Sequence, residues 1–187
     1  MKAKKLFLPI VLSFAMAVCA VAFAGCAGQS DEEVIREALV QELDSYKNLD
    51  DAVVDEMTQS MDLEELSSYG IDGKAFMQSY FNGFDYTIDS VTVDGDKASA
   101  VITLTCKSLS AFQNSLEDAL SNLDVEKLAT MSEDELNQYT SDLIMNALDS
   151  VEVAQTEPIT IEYTKDGNTW TPSASASDDI AAAMLSN

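Results

Sequence analysis

Residues 84–107, FDYTIDSVTVDGDKASAVITLTCK, carry the clearest secondary-structure signal in the chain. In its second half every other residue is apolar or small, which is the period of a strand with one buried face. The inward set is Ala98, Ala100, Ile102, Leu104 and Cys106, and the outward set is Ser99, Val101, Thr103, Thr105 and Lys107. We therefore predict a half-buried β-strand over this run.

A second strand precedes this one and is joined to it by a tight turn. Its apolar residues form two alternating sets of opposite parity: Phe84, Tyr86 and Ile88, then Val91 and Val93. The apolar positions change from even to odd numbers near residues 89–90, and such an extra residue within a strand predicts a β-bulge. The sequence Asp94-Gly95-Asp96 is typical of a tight hairpin turn. The two strands are therefore expected to pair as an antiparallel hairpin.

Helices are predicted before the hairpin. Ser30 and Glu33 form a capping box, which marks a helix start. Apolar residues recur at helical spacing after it: Val34, Ile35, Ala38, Leu39, Leu43 and Tyr46. This spacing predicts an amphipathic helix over about 31–46. Three shorter helices are predicted further on, over about 50–57, 62–70 and 75–83.

Helical spacing returns after the hairpin, over about 109–123 and again from a second capping box at Ser132 and Glu135 to about 148. Alternation from Ile159 to Tyr163 predicts a third strand. The next segments are a turn at 166–168, a short fourth strand around Trp170 that ends at Pro172, a hinge of small residues at 173–177, and a helical turn at 178–185.

The order of these elements predicts the fold class. Helices, a hairpin, helices and a second hairpin are typical of α+β proteins, in which helices cover one face of an antiparallel sheet. We expect a curved antiparallel sheet of about four strands packed with helices.

The first 25 residues resemble a secretory signal peptide. Lys2, Lys4 and Lys5 form a positive segment, and 18 residues without a charge follow, from Leu6 to Phe23. A run of this length is also at the lower limit for a membrane span. A retained N-terminal anchor is therefore the alternative reading.

The segment Phe23-Ala24-Gly25-Cys26 resembles the lipobox of bacterial lipoproteins, although Leu is usual where Phe23 stands. The resemblance implies cleavage between Gly25 and Cys26 and attachment of a lipid to the Cys26 thiol, with fatty acids such as palmitate. Two or more acyl chains anchor a protein stably, at about 0.8 kcal/mol per buried CH₂. We expect a lipid-anchored protein on the extracytoplasmic face of a bacterial cell membrane. The sequence does not distinguish the cytoplasmic membrane from an outer membrane as the site of the anchor.

A second resemblance covers about residues 30–172. It is carried by YGI (69–71), FNGFDY (81–86), VTVDGDKA (91–98) and DGNTW (166–170). These stretches resemble uncharacterised bacterial lipoproteins in which a cystatin/NTF2-like domain follows a lipobox. The resemblance implies that fold and supplies no catalytic residues. The predicted organisation is a signal peptide (1–25), a short tether (26–30), a cystatin/NTF2-like domain (31–172), and a C-terminal hinge with a short helix (173–187).

Composition excludes several classes of function. The chain of 187 residues has 10 Lys and Arg against 33 Asp and Glu, for a net charge of −23. Such a chain is not expected to bind nucleic acid, which requires clustered cations. The absence of His excludes His-based catalytic triads and His-ligated metal sites. Two of the three Cys lie in the leader or at its end, so no disulfide framework is expected.

The remaining residues do not predict a catalytic, cofactor or metal site. Many acidic side chains stand at helix starts, where they stabilise the helix dipole, and none follow the pattern of a Ca²⁺ loop. Cys106 shares the inward face of its strand and is expected to be an inert core thiol. Tyr86, Tyr163 and Trp170 are expected to face inward as core side chains.

Three functions are consistent with these observations. The first is a ligand-binding or protein-interaction module whose partner is an unidentified small molecule or envelope protein. The second is an enzyme of the NTF2-like fold that uses Asp and Tyr residues in a pocket. The third is a structural component of the envelope. A deep apolar pocket would favour ligand binding, and a filled one would favour interaction through the surface.

Overall fold

A computed structural model of the chain describes residues 29–51 and 70–187, residues 53, 54, 57 and 67, and the backbone of residues 21 and 22. The lipobox, and the predicted signal peptide apart from residues 21 and 22, lie outside these residues. The helix predicted over 62–70 also falls almost entirely outside them. In the helix predicted over 50–57, the described residues Asp51, Val53, Val54 and Met57 are helical.

Besides the helical residues named above, six helices have assigned bounds in the described part of the chain. They are α1 (Asp31–Lys47), α2 (Gly73–Tyr80), α3 (Leu109–Ser121), α4 (Val125–Leu128), α5 (Glu133–Asp149) and α6 (Ala176–Ser186). Both predicted capping boxes are confirmed. Ser30 Oγ accepts a hydrogen bond from the Glu33 backbone N–H, and the Glu33 carboxylate accepts one from Ser30 N–H. Ser132 and Glu135 make the same pair of contacts at the start of α5.

The strands form one antiparallel sheet. They are β1 (Val21–Ala22), β2 (Asp85–Asp94), β3 (Lys97–Lys107), β4 (Val153–Gln155), β5 (Ile159–Asp166) and β6 (Thr169–Pro172). The order across the sheet is β1-β6-β5-β3-β2, and β4 pairs with β3 beyond the end of β5. The predicted fold class, α+β with an antiparallel sheet packed against helices, is confirmed.

The predicted antiparallel hairpin of β2 and β3 is confirmed in detail. Asp94 pairs with Lys97 across a two-residue turn, and the register shifts between Ile88 and Ser90, where the bulge was predicted. Gly95 has a φ of +61°, a conformation that residues with a Cβ rarely adopt. The register shift at the bulge places Tyr86 and Ile88 on the same face of β2 as Val91 and Val93. This is the face that the core covers.

The core covers one face of the sheet, as predicted. The inward side chains of β3, from Ala98 to Cys106, are all buried, and so are Ile159, Ile161 and Tyr163 of β5, which pair beside them. Helices α1 and α6 contribute buried side chains to the same cluster. On the opposite face the outward side chains of β5 are exposed, which an antiparallel sheet tolerates.

Three local expectations need correction. Strand β4 was not predicted, because its three residues are all exposed and give no alternation. Helix α6 begins at Ala176, inside the predicted hinge, and Ala176 is buried. Lys107 was assigned to the outward face of β3 but is only 4% exposed. In each case a tertiary contact outweighs the local pattern.

Helix α1 lies along β2. Near its middle Arg36 Nη1 donates to the Ile88 carbonyl over 3.3 Å, and near its end Lys47 Nζ lies 2.8 Å from the Asp85 carboxylate. Asp31, at its start, contacts β5 and β6 beside the two hairpin turns. We call the end of the sheet with the turns at 94–97 and 166–169 the turn end. The opposite end, with Asp85, Lys107 and β4, is the far end.

Candidate anchoring and interaction sites

At the turn end, Asp31 ties the first residue of α1 to the last hairpin. Lys165 Nζ lies 2.7 and 2.6 Å from the two carboxylate oxygens of Asp31, and Trp170 Nε1 donates to the same carboxylate over 3.1 Å. The Lys165 ammonium also lies 5.2 Å from the centre of the Trp170 ring, within the range of a cation–π interaction. We call these three residues the Asp31 clamp.

The Asp31 clamp favours the charged form of its carboxyl group. The hydrogen bond from Lys165, and then that from Trp170, hold the pKa of Asp31 below its ordinary value of 3.8. Trp170 is 2% exposed, so the indole N–H has its partner inside the fold. The prediction that Trp170 faces inward as a core side chain is confirmed. The helix that follows the predicted tether is therefore held to the sheet from its first residue.

The Asp31 clamp predicts a specific dependence of stability on pH. Because the folded-state pKa of Asp31 is depressed, its contribution is complete above the ordinary value of 3.8 and is lost as the pH falls through the folded-state pKa. We expect Asp31→Asn to lower the free energy of unfolding near neutral pH and to flatten its fall in acid. The measurement is urea denaturation at several pH values.

Glu133→Gln is the matched control for Asp31→Asn. Glu133 is also the first residue of a helix that opens with a capping box, and it is exposed. The two substitutions should therefore share any effect on the helix dipole, worth about 0.3–1 kcal/mol. An equal response of the two variants to acid would show that the contacts of Asp31 with Lys165 and Trp170 do not contribute.

At the far end, Lys107 is buried against the end of α5. Its Nζ donates to the Leu148 carbonyl over 2.9 Å and lies 4.0 Å from the Asp149 carboxylate. Ser79 of α2 donates to the same carboxylate over 2.5 Å. Burial lowers the pKa of the Lys107 ammonium, and the charge of Asp149 opposes this shift. A cation at a helix C-terminus is stabilised by the unpaired carbonyls and the helix dipole, so Lys107 connects β3 to α5.

Lys107→Ala is expected to lower the free energy of unfolding by about 1–3 kcal/mol, because it removes a charge-assisted hydrogen bond and the packing of the buried stem. Lys97→Ala, at the exposed start of the same strand, should change it by less than about 0.5 kcal/mol. Urea denaturation measures both. If the two variants are equally stable, the contact between Lys107 and α5 does not stabilise the fold.

Cys106 is buried, as predicted, and is 3% exposed. Asn187 Nδ2 donates to the Cys106 carbonyl over 2.8 Å and lies 3.4 Å from the sulfur. Burial raises the pKa of the Cys106 thiol to about 11, although the Asn187 contact opposes the shift. Because the thiolate is the nucleophilic form, this thiol is poorly suited to covalent catalysis.

The Cys106 thiol is therefore expected to resist labelling in the native protein. At pH 8 a maleimide or disulfide reagent should react with it only as fast as the chain opens, and at the rate of a free thiol in urea. Mass spectrometry of the reacted protein over time measures both rates. Fast labelling under native conditions would contradict the inert assignment.

Tyr86 and Tyr163 both lie on the inner face of the sheet. The Tyr86 hydroxyl donates to Asp44 of α1 over 2.7 Å. Burial and the Asp44 contact raise the pKa of Tyr86 to about 12, so the phenol stays protonated at neutral pH. Burial also raises the pKa of Tyr163, which is 5% exposed. The Tyr86–Asp44 contact holds α1 on β2, and neither phenol is poised to act as a base near pH 7.

Large buried side chains of the described residues cover the inner face of the sheet. Nine large side chains of the described residues are less than 2% exposed: Phe112, Ile35, Leu43, Met77, Ile102, Leu104, Leu148, Ile161 and Ile180. They belong to one continuous cluster. The inner face of the sheet thus serves as core, and the exposed surface is where a partner would have access.

The described part of the chain contains neither a metal-binding cluster nor a membrane-spanning helix. It contains no group of three acidic or Cys side chains close enough to hold a metal ion. None of its helices is both long and apolar enough to cross a membrane. Gly25 and Cys26, the predicted cleavage and lipid-attachment residues, lie outside the described residues.

Comparisons with protein families, curated proteins and solved structures found no significant match to this chain. The chain's own residues must therefore support any proposal about its function.

Proposed function

We propose that this chain is a bacterial lipoprotein, cleaved before Cys26 and acylated there, that holds an α+β interaction domain at the extracytoplasmic face of a membrane. The observation that carries the proposal is the sequence Ala24-Gly25-Cys26 at the end of a charged and then apolar leader. Four residues after Cys26, Ser30 caps the first helix. A lipid on Cys26 would therefore be joined to the folded domain through a short segment and would hold the domain close to the membrane.

The burial of the inner face of the sheet by core side chains favours an interaction through the surface over binding of a small molecule inside the fold. A site for a small molecule is usually a concave pocket with a few converging polar groups. Here the inner face of the sheet is occupied by the core cluster. The exposed surface is strongly acidic, since the acidic side chains outnumber the basic ones by 33 to 10 in the whole sequence. A basic protein of the envelope is the class of partner that this charge would attract.

The experiment for the anchor is mass spectrometry of the intact protein purified from cells. We expect a chain that begins at Cys26 and carries fatty acids, and an accumulated precursor after treatment with globomycin, which inhibits the lipoprotein signal peptidase. A mature chain without fatty acids, or a precursor unaffected by the inhibitor, would overturn the proposal.

The experiment for the interaction domain is crosslinking in intact cells followed by purification of the lipidated protein. We expect a defined protein to crosslink and the yield to fall when salt is raised, because the attraction is electrostatic. A small molecule that co-purifies in native mass spectrometry, with no crosslinked protein, would favour ligand binding instead.

A further inference from the structure

The fold determines which end of the domain would face the membrane. From the placement of α1 we infer that the domain stands with its turn end towards the bilayer and its far end pointing away. This inference rests on the proposed lipid anchor at Cys26. It goes beyond that proposal because it assigns the membrane-facing surface of the folded domain.

The first step is the length of the tether. Residues 26–30 separate the lipid from α1, and a fully extended chain of that length spans under about 20 Å. Ser30 is held by the capping box, and Asp31 is held by Lys165 and Trp170. The first residue of α1 must therefore lie within this distance of the anchor.

The second step is the direction of α1. The helix starts beside Lys165 and Trp170 at the turn end, passes Ile88, and ends where Lys47 meets Asp85 at the far end. Its 17 residues span about 25 Å along β2. The chain therefore enters α1 at the turn end, where Val21 and Ala22 of the leader also pair with β6.

The third step is the height of the sheet. Strand β3 runs from Lys97 at the turn end to Thr105, which pairs with Asp85 and with Gln155 at the far end. The eight residue-to-residue steps from Lys97 to Thr105 span about 27 Å. In an upright domain, labels at the two ends would therefore differ greatly in their distance from the headgroups.

The fourth step is the charge of the turn end. Exposed or half-buried charges there are Asp31, Glu32, Glu33, Asp94, Asp96 and Asp166, against Lys97 and Lys165. Anionic headgroups repel such a surface within about a Debye length, roughly 10 Å in 0.1 M salt. We therefore expect the turn end to face the bilayer without inserting, and to stand further from anionic lipid than from zwitterionic lipid at low salt.

The experiment measures the distance of three fluorescent labels from the bilayer. Single Cys residues are introduced as Asn168→Cys at the turn end, Asn82→Cys at the far end, and Thr160→Cys on the open face of the sheet; all three positions are exposed. The lipidated protein is labelled and inserted into phosphatidylcholine vesicles that contain a headgroup nitroxide quencher. The parent chain, whose Cys106 is buried, gives the background labelling.

We expect the label at 168 to lose much of its fluorescence, the label at 82 to lose almost none, and the label at 160 to lie between them. Replacing part of the phosphatidylcholine with an anionic lipid at low salt should weaken the quenching at 168, and salt should restore it. Equal quenching at 168 and 82, or the strongest quenching at 160, would overturn the inference.

The same experiment separates a failure of the orientation from a failure of the anchor. If the purified chain carries no fatty acid, the proposed lipid anchor fails on that measurement alone. A chain that begins at Cys26 is then prepared, a cyanobenzothiazole phospholipid is joined to its N-terminal aminothiol, which internal Cys residues lack, and the three labels still test which end of the domain faces the bilayer.

Discussion

Cys26→Ser is expected to abolish acylation and processing together. The hydroxyl of Ser cannot form the thioether that the proposed lipid attachment requires, and a lipoprotein signal peptidase acts only on the acylated precursor, so the proposed cleavage before residue 26 would fail as well. We expect the variant to lose all fatty-acid label and to keep residues 1–25, whose 18-residue apolar run can still hold it at the membrane. Metabolic labelling with a palmitate analogue and intact mass spectrometry measure both effects.

Cys19→Ser is the matched control. Cys19 lies in the apolar part of the predicted signal peptide, seven residues before Cys26. We expect this variant to be acylated and cleaved like the natural chain. Acylation of Cys26→Ser, or loss of acylation in Cys19→Ser, would contradict the assignment of Cys26 as the lipid-attachment residue.

Phe112→Ala is expected to lower the free energy of unfolding by about 3–5 kcal/mol. Phe112 of α3 is 1% exposed and packs edge-to-face on Phe76 of α2, with 6.0 Å between the ring centres. Removing the ring deletes buried apolar surface and leaves a cavity between two helices. Because small domains are stable by only about 5–15 kcal/mol, the loss is a large part of the total.

Leu120→Ala on the same helix is the control for Phe112→Ala. Leu120 is 43% exposed, so its side chain loses little contact with the core when it is shortened. We expect it to change the free energy of unfolding by less than about 1 kcal/mol. Urea denaturation followed by circular dichroism measures both variants. Similar losses for the two would contradict the burial that the structure gives to Phe112.

Local features of the fold followed from the sequence because short-range chemistry encodes them. A capping box satisfies backbone N–H groups within four residues, so Ser30 and Ser132 mark their helices without reference to the rest of the chain. The hairpin turn at Gly95 and the bulge near Ile88 are likewise set within a few residues. The alternation along β3 predicted its buried face because a strand has a period of two.

Strand β4 and the clusters at the two ends of the sheet could not be predicted in the same way. Asp31 and Lys165 are 134 residues apart, and Lys107 and Leu148 are 41 apart. Such pairs form only after packing has brought their elements together, and exposed polar residues carry no periodic signal of their partner. Strand β4 exists because β3 continues past the end of β5 and leaves backbone groups free to pair.

The local residue pattern encodes the described helices other than α4, the strands β2, β3, β5 and β6, the buried face of the sheet, and the leader pattern on which the proposed anchor depends. Each of these depends on residues that are close together in the chain. Tertiary structure alone decided that α1 runs from the turn end to the far end, that Asp31 meets Lys165 and Trp170, and that Lys107 is buried. The physical reason is that the direction of a helix and the partner of a charge are properties of packing, which joins residues that the sequence keeps far apart.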